Sequence, residues 1–317
     1  MISSIQLAKI CGVSQGTVDR AMHNRPGVSE KTRRKILEAA ERLGYRPNPA
    51  VREIMDRSSK IVGAIIPALN NIFFMDMMSL VKESLAKQGK MLLLTPVHGK
   101  ADFFDALEEF AARKMHGVMV VPPEENLELP SHLTQSLPVL SLLSQCKGRR
   151  ATFLGADEVQ TGKTAVEYLE GLGHRRIMHV TYPRKAKGID ERTAGYKLQM
   201  NKLGLKTAVS IFINEEAFFE TMKRYRPTAL FCHNDWLAMT IMRLVQMRGM
   251  KVPGDVSILG VDHTPTFQSL WPELCSMEYP LEKFVECVSE WVLTGKITTE
   301  PGMLKIVCGK TVEGVIE

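Results

Sequence analysis

Ser14, Gln15, Gly16, Thr17 and Arg20 fall within one short stretch, and Asn24 follows close behind. On a helix that begins just after Ser14, residues Gln15, Gly16 and Arg20 lie toward the end that would enter a DNA major groove first. Glutamine can bond adenine through two contacts, and arginine can bond guanine likewise. Ser14, Thr17 and Asn24 offer short polar groups suited to phosphate oxygens. The same spacing would also serve a three-helix bundle that touches no nucleic acid, so the surrounding elements and charges must decide.

Those elements can be read directly. Ser3 and Ser4 can cap a first helix, on which Ile5, Ala8 and Lys9 share a face. Gly12 follows, where a tight turn needs positive φ. Ser14 caps a second helix through Val18 and Met22. Pro26 and Gly27 break the chain, and Ser29 caps a third helix carrying Ile36, Leu37, Ala40 and Leu43 at helical spacing before Gly44 stops it. Helix, short glycine turn and helix make a helix-turn-helix. The charge agrees. The whole chain carries +6; residues 1–60 hold 12 Lys/Arg and 6 Asp/Glu, and the remainder holds 29 of each. A basic module on a neutral body points to a polyanion partner for the module alone.

Several function classes are disfavoured. No apolar run reaches the roughly 18 residues of a membrane span, and MISSIQLAKICG does not read as a signal peptide. The six cysteines are scattered with no CxxC pair, which argues against a disulfide framework or zinc site and for free thiols in a reducing compartment. GKT occurs at 162–164 and 309–311, but the glycine a phosphate loop needs five positions earlier is Asp157 in one and Leu304 in the other. No GxSxG or HExxH is present, and the eight histidines show no ligand spacing. The expectation is therefore no catalytic residues, no metal and no cofactor.

Beyond residue 60, apolar runs alternate with amphipathic segments. Strands are predicted at 61–67, 91–95, 117–121, 176–180, 228–232 and 255–261. Helices are predicted at 73–89, 102–114, 158–172, near 191–203, 215–225 and 235–249. This alternation implies parallel sheets covered on both faces. Two such runs imply two α/β, Rossmann-like lobes, with ligands expected at strand C-termini facing a cleft.

The stretch from Leu7 to Asn48 closely resembles the headpiece of the lactose-repressor (LacI/GalR) family. The matching residues are Leu7-Ala8, Cys11-Gly12-Val13-Ser14, Thr17-Val18-Asp19-Arg20, Val28-Ser29, Thr32-Arg33 and Leu43-Gly44-Tyr45-Arg46-Pro47-Asn48. Two positions depart from the pattern. Asp19 replaces a usual serine, which is costly beside phosphates unless it pairs with Arg20 or accepts from a cytosine. Val51 replaces a usual alanine in the hinge PNPAVREIMDR. The resemblance implies that this hinge forms a short helix on DNA and inserts Ile54 into the minor groove, a known way to kink DNA. Packing in a linker is the other role open to Ile54.

A looser resemblance covers the body, through PALNNIFF (67–74), LGADE (154–158), GLGHRRI (171–177), ERTAGY (191–196), HNDWLA (233–238), VPGDVSILGVD (252–262) and YPLEK (279–283). It is similar to the type-I periplasmic-binding fold that the same family uses as its sensor. The implied organisation is an all-α headpiece at 1–47, a hinge at 48–60 and a two-lobed α/β body at 61–317. The first lobe would take about 61–157 and 280–300, the second about 158–279 and 301–317, with crossings near Asp157, Tyr279 and Pro301. The resemblance further implies that Arg192, Asn234 and Asp262 contact a small effector. Phe73 or Phe74 would stack on it, the other serving the core. Arg192 and Asp262 are expected to pair across the empty cleft, and Asp235 to cap the helix after Asn234. The implied function is a cytoplasmic, nucleoid-associated bacterial regulator, a homodimer on a pseudo-palindromic operator with no membrane partner. A sugar or sugar derivative is the expected effector, with a purine or other small metabolite as the alternative. A solute-binding protein or an enzyme on the same scaffold is the rival class, and the headpiece argues against both.

Overall fold

The structure is a computed structural model that describes residues 2–46, 59–67, 71–183 and 187–315. Ile54 and most of the hinge lie outside the described residues. The chain divides into two compact units, Met1–Ser59 and Lys60–Glu317.

The first unit contains α1 (Ser4–Cys11), α2 (Gln15–Met22) and α3 (Glu30–Arg42). Each begins on a serine whose hydroxyl accepts a backbone N–H three residues on, from Gln6, Thr17 and Thr32. Such a cap satisfies a donor that the first helical turn leaves unpaired. Gly12 ends α1 at φ 67°, a left-handed conformation that a side chain would resist. The core is Leu7, Ala8, Cys11, Val18, Ala21, Ile36, Ala39 and Ala40. The packing face of α1 therefore differs from the one expected: Ile5 is 54% exposed, and Leu7 and Cys11 face inward instead. Lys35 reaches from α3 to donate to the Cys11 carbonyl at 3.0 Å, placing a cation where the α1 dipole is negative.

The second unit holds two sheets. The first runs β2 (Met91–Pro96), β1 (Ile61–Ile66), β3 (Gly117–Val120), β5 (Val139–Leu142), β7 (Ala151–Leu154), all parallel. The second runs β13 (Lys305–Val307), β12 (Cys275–Glu278), β11 (Ser257–Asp262), β10 (Ala229–Cys232), β8 (Ile177–Thr181), β9 (Val209–Ile211); only β13 is antiparallel to its neighbour. A small ribbon pairs β4 (Leu127–Glu128) with β6 (Cys146–Lys147). The central strands are buried on both faces, which explains their unbroken apolar runs.

Helices α4 (Ile72–Lys87), α5 (Lys100–Ala112), α6 (Ser131–Ser136) and α12 (Leu281–Thr294) serve the first lobe. Helices α7 (Glu158–Gly171), α8 (Lys187–Lys202), α9 (Glu215–Tyr225), α10 (Asp235–Met247) and α11 (Pro265–Leu270) serve the second. The chain leaves the first sheet after Leu154, returns between Glu278 and Leu281 to form α12 against α4, and crosses again to add β13 to the second sheet. Both sheets direct the C-terminal ends of their parallel strands toward one cavity.

Candidate functional site

In the headpiece, Ser14 is exposed, caps α2 and shares a hydrogen bond with Thr17 Oγ1 at 2.9 Å. Gln15, Gly16, Arg20 and Asn24 are all exposed, and Asn24 sits at φ 52° just past the helix. Among the described residues Arg20 makes no ion pair. Gln15 is tethered, its Nε2 donating to Ser4 Oγ at 3.0 Å. Asp19 does not make the pair with Arg20 that the sequence offered as one of two ways to offset it. It meets Arg25 at 3.2 Å and His23 at 3.1 Å. That pairing neutralises the acid locally and leaves Arg20 available.

In the body, two glycines set the geometry. A Cβ on Gly162 of α7 would lie 2.2 Å from the Arg192 carbonyl, and one on Gly195 of α8 would lie 2.0 Å from the Val159 carbonyl. The two helices thus cross backbone against backbone. The crossing brings Glu158, at the first turn of α7, against Arg192 of α8. Glu158 Oε2 accepts from Arg192 Nε at 2.8 Å and Nη2 at 2.6 Å, and Arg192 Nη1 donates to the His233 carbonyl. Both side chains are buried. Arg192 therefore pairs with Glu158, which sequence reading did not single out, and not with Asp262. The Gly162 and Gly195 positions, set in GKT and ERTAGY, are where the sequence permits this contact.

The cap expected of Asp235 falls to Asn234, which also lines the cavity as expected. Asn234 caps α10, its Oδ1 accepting from Leu237 N at 3.0 Å and from the Tyr182 hydroxyl at 2.9 Å. Asp235 is fully buried and accepts from Ser276 Oγ at 2.6 Å and from His263 N at 2.7 Å. Gly260 makes room for it, since a Cβ there would meet Asp235 Oδ1 at 2.1 Å. Asp235 thereby braces the end of β11, where Asp262 and the following His263 adopt φ of 129° and 45°. Consecutive non-glycine residues at positive φ are strained and persist where surroundings hold them.

Phe73 and Phe74 occupy the first turn of α4, which Asn71 caps through Phe73 N at 3.0 Å. Both rings are buried. They pack edge to face on each other at 5.6 Å, and Phe73 does so on Tyr279 at 5.1 Å. Both phenylalanines line the cavity and both join the first lobe's core, so the expected division between them is not seen.

The structure gathers Phe73, Phe74, Arg192, Asn234 and Asp262 around a single cavity of about 420 Å³ between the lobes. Asn71, Ser144, Glu158, Tyr182, His233 and Tyr279 complete its polar lining. Burial pushes the Asp262 carboxyl well above its ordinary range; the nearby Asp235 adds to the rise and Arg192 opposes it. Burial also lifts Asp235 to about 6, against the hydrogen bonds from Ser276 and His263. Burial, then the charge of Arg192, drives His233 well below its ordinary value. The cavity lining thus holds one compensated ion pair, a neutral imidazole and a carboxyl that tends to keep its proton. Its lining can donate and accept hydrogen bonds on one side and present apolar rings on the other.

Residues 6–48 match the profile described as bacterial regulatory proteins, lacI family, and residues 166–303 match that of the periplasmic binding protein-like domain. The chain is similar to the probable HTH-type transcriptional repressor ExuR of Bacillus subtilis, with 26% identity over 298 residues covering 89% of this chain and 88% of that one. It also resembles the lac repressor dimer bound to operator and the anti-inducer ONPF, with a TM-score of 0.82 and 20% identity over 99% of each chain. A transcriptional regulator CelR–cellobiose complex aligns at a TM-score of 0.64 and 20% identity, over 98% of this chain and 100% of that one. With a lacI-type headpiece and a periplasmic-binding-protein-like body in one polypeptide, the chain belongs to the lacI family of bacterial regulatory proteins.

Proposed function

We propose that the chain is a homodimeric, sequence-specific DNA-binding repressor whose affinity for a pseudo-palindromic operator is set by a sugar or sugar derivative bound between the lobes. The observation that carries this reading is the convergence of Arg192, Asn234 and Asp262, from three different elements, on a cavity walled by Phe73 and Phe74. Hydroxyls need several donors and acceptors at once, and the C–H faces of a sugar need an apolar wall. The volume falls within the usual range of small-ligand sites, about 300–1,000 Å³. The two rings meet edge to face and offer no pair of parallel plates, which supports a sugar over a purine. The CelR relative is a cellobiose complex.

Gln15, Gly16 and Arg20 read bases, Ser14, Thr17 and Asn24 hold phosphates, and Ile54 acts as the minor-groove wedge. The protein works as a binding regulator without catalytic residues, in the bacterial cytoplasm at the nucleoid. Effector and operator are coupled through the lobes, and the coupling is reciprocal. A thermal-shift screen of the full-length protein against sugars and nucleobases tests the reading, because a ligand of the native state raises apparent stability. The expected result is a rise with one sugar class and a change in operator affinity at the same concentration. A rise with nucleobases alone overturns the sugar assignment.

A further inference from the structure

Away from the cavity, the antiparallel pair β12–β13 aligns Glu278 with Lys305, Met277 with Ile306 and Ser276 with Val307. The next pair in that register is Cys275 with Cys308. The two segments are still joined beyond it, where Lys310 N donates to the Glu273 carbonyl at 2.7 Å. Opposite residues in an antiparallel pair project to the same side, with Cα atoms about 4.5–5.5 Å apart. A disulfide spans Cα separations of about 4.4–6.8 Å. A separate observation places the sulfurs on the same side: the Tyr168 hydroxyl lies 3.6 Å from Cys275 Sγ and 3.5 Å from Cys308 Sγ. Cys275 is buried and Cys308 is exposed.

We propose that Cys308 and Cys275 form an oxidation site, with Cys308 as the peroxide-reactive thiol and Cys275 as its resolving partner. The Cys308 thiolate attacks the O–O bond of a hydroperoxide. One oxygen stays on Sγ as a sulfenic acid, and the other leaves as hydroxide, or as alkoxide from an organic peroxide, and takes up a proton. Cys275 then gives up its proton and displaces the sulfenic oxygen as water, forming the Sγ–Sγ bond. Two thiols lose two electrons in total, and hydrogen peroxide is reduced to two waters. Exposure makes Cys308 the entry point, and burial raises the Cys275 thiol, which suits a group that reacts only with a sulfur already delivered beside it. The Tyr168 hydroxyl is placed to donate to whichever sulfur carries charge.

The bond has a definite place in the fold. Between Cys275 and Cys308 the chain enters the first lobe, forms α12 and returns. Oxidation would close that excursion into a covalent loop and tie together the roots of two interlobe crossings. Intracellular disulfides of this kind are characteristically transient and redox-sensing.

The test uses the reduced full-length protein. It is treated with hydrogen peroxide, quenched, denatured, alkylated and mapped by mass spectrometry. The expected result is a loss of two titratable thiols, a Cys275–Cys308 linked peptide, and full reversal by dithiothreitol. Cys308→Ser, a change at an exposed position, should leave Cys275 alkylatable after the same treatment. An unchanged thiol count overturns the proposal. So does Cys308 recovered as sulfinic acid, or linked to a second molecule, with Cys275 alkylated throughout.

Discussion

Asp76 of the first lobe caps a helix of the second: its carboxylate accepts Thr266 N at 2.9 Å and the Thr266 hydroxyl at 2.6 Å. Thr266 lies in the first turn of α11, whose own cap residue, Thr264, makes no side-chain cap bond. A helix start favours a negative group, so the first lobe supplies the partner that the second lobe's helix lacks. Any separation of α4 from α11 must break both bonds.

Asp76→Ala should therefore loosen the two lobes. Hydrogen bonds to a charged group contribute about 1.5–3 kcal/mol, enough to shift the open and closed populations by about ten- to a hundredfold. Energy transfer between dyes on the two lobes of the full chain should report a longer mean distance. An unchanged distance would make the contact passive.

Glu158→Gln should destabilise the body. It leaves the Arg192 guanidinium buried without its carboxylate, and removing one partner of a buried pair costs about 3–5 kcal/mol. The retained amide oxygen places the expected loss toward the lower end. Urea unfolding of Glu158→Gln, Arg192→Gln and the double variant gives the coupling directly. Strictly additive losses would show that the two residues act independently.

The acids of the cavity set a pH dependence whose sign can be worked out. Burial raises Asp235 to about 6 and Asp262 well above its ordinary value, against about 3.9 in an unfolded chain. The folded state then holds more protons than the unfolded one. The stability this contributes is full below about pH 4 and is lost as pH rises through the folded values. Asp262→Asn cannot ionise, so its urea-unfolding free energy should fall less steeply than wild type from about pH 5 upward. Its fold should be nearly unaffected near pH 5. Its affinity for the cognate effector should drop by about 0.5–1.5 kcal/mol, the net worth of one hydrogen bond from a neutral carboxyl. Wild-type affinity in calorimetry would remove Asp262 from the site.

On DNA, Arg20→Ala should cost about 1–3 kcal/mol on the operator and little on random sequence. Arg20 is exposed with no ion pair among the described residues, while Asp19 is occupied by Arg25 and His23. Equal losses on both DNAs, in gel-shift titrations at one salt concentration, would make Arg20 a phosphate contact.

Much of the fold could be read along the chain because its signals are local. Serine caps, the Gly12 turn and the 3.6-residue periodicity placed α1 to α3, and apolar runs placed the central strands of both sheets. The short strands β5, β7, β9, β12 and β13 escaped because each carries a polar residue, whereas the equally short β3 and β10 are unbroken apolar runs. The three residues carried over from the family do meet on one cavity. What could not be read were relations between distant residues. Glu158 and Arg192 stand 34 positions apart, and the Gly162–Gly195 crossing brings them together. Asn234 and Asp235 are both good cap residues. Sequence alone does not say which has the extended backbone of a cap and which turns inward to Ser276 and His263.

The glycine crossing of α7 and α8 also bears on how such a site diversifies. Arg192 is located by main chain lying on main chain, and its charge is balanced by a residue of the neighbouring helix. Neither depends on Phe73, Phe74, Tyr182 or Tyr279. Descendants of this chain can therefore exchange the rings and hydroxyls facing the cavity, and so change which ligand is accepted, while the arginine anchor stays where it is. The same arrangement concentrates intolerance at two small residues. Gly195→Ala would force a methyl group onto the Val159 carbonyl, and its damage would reach ligand recognition through a position that no ligand touches.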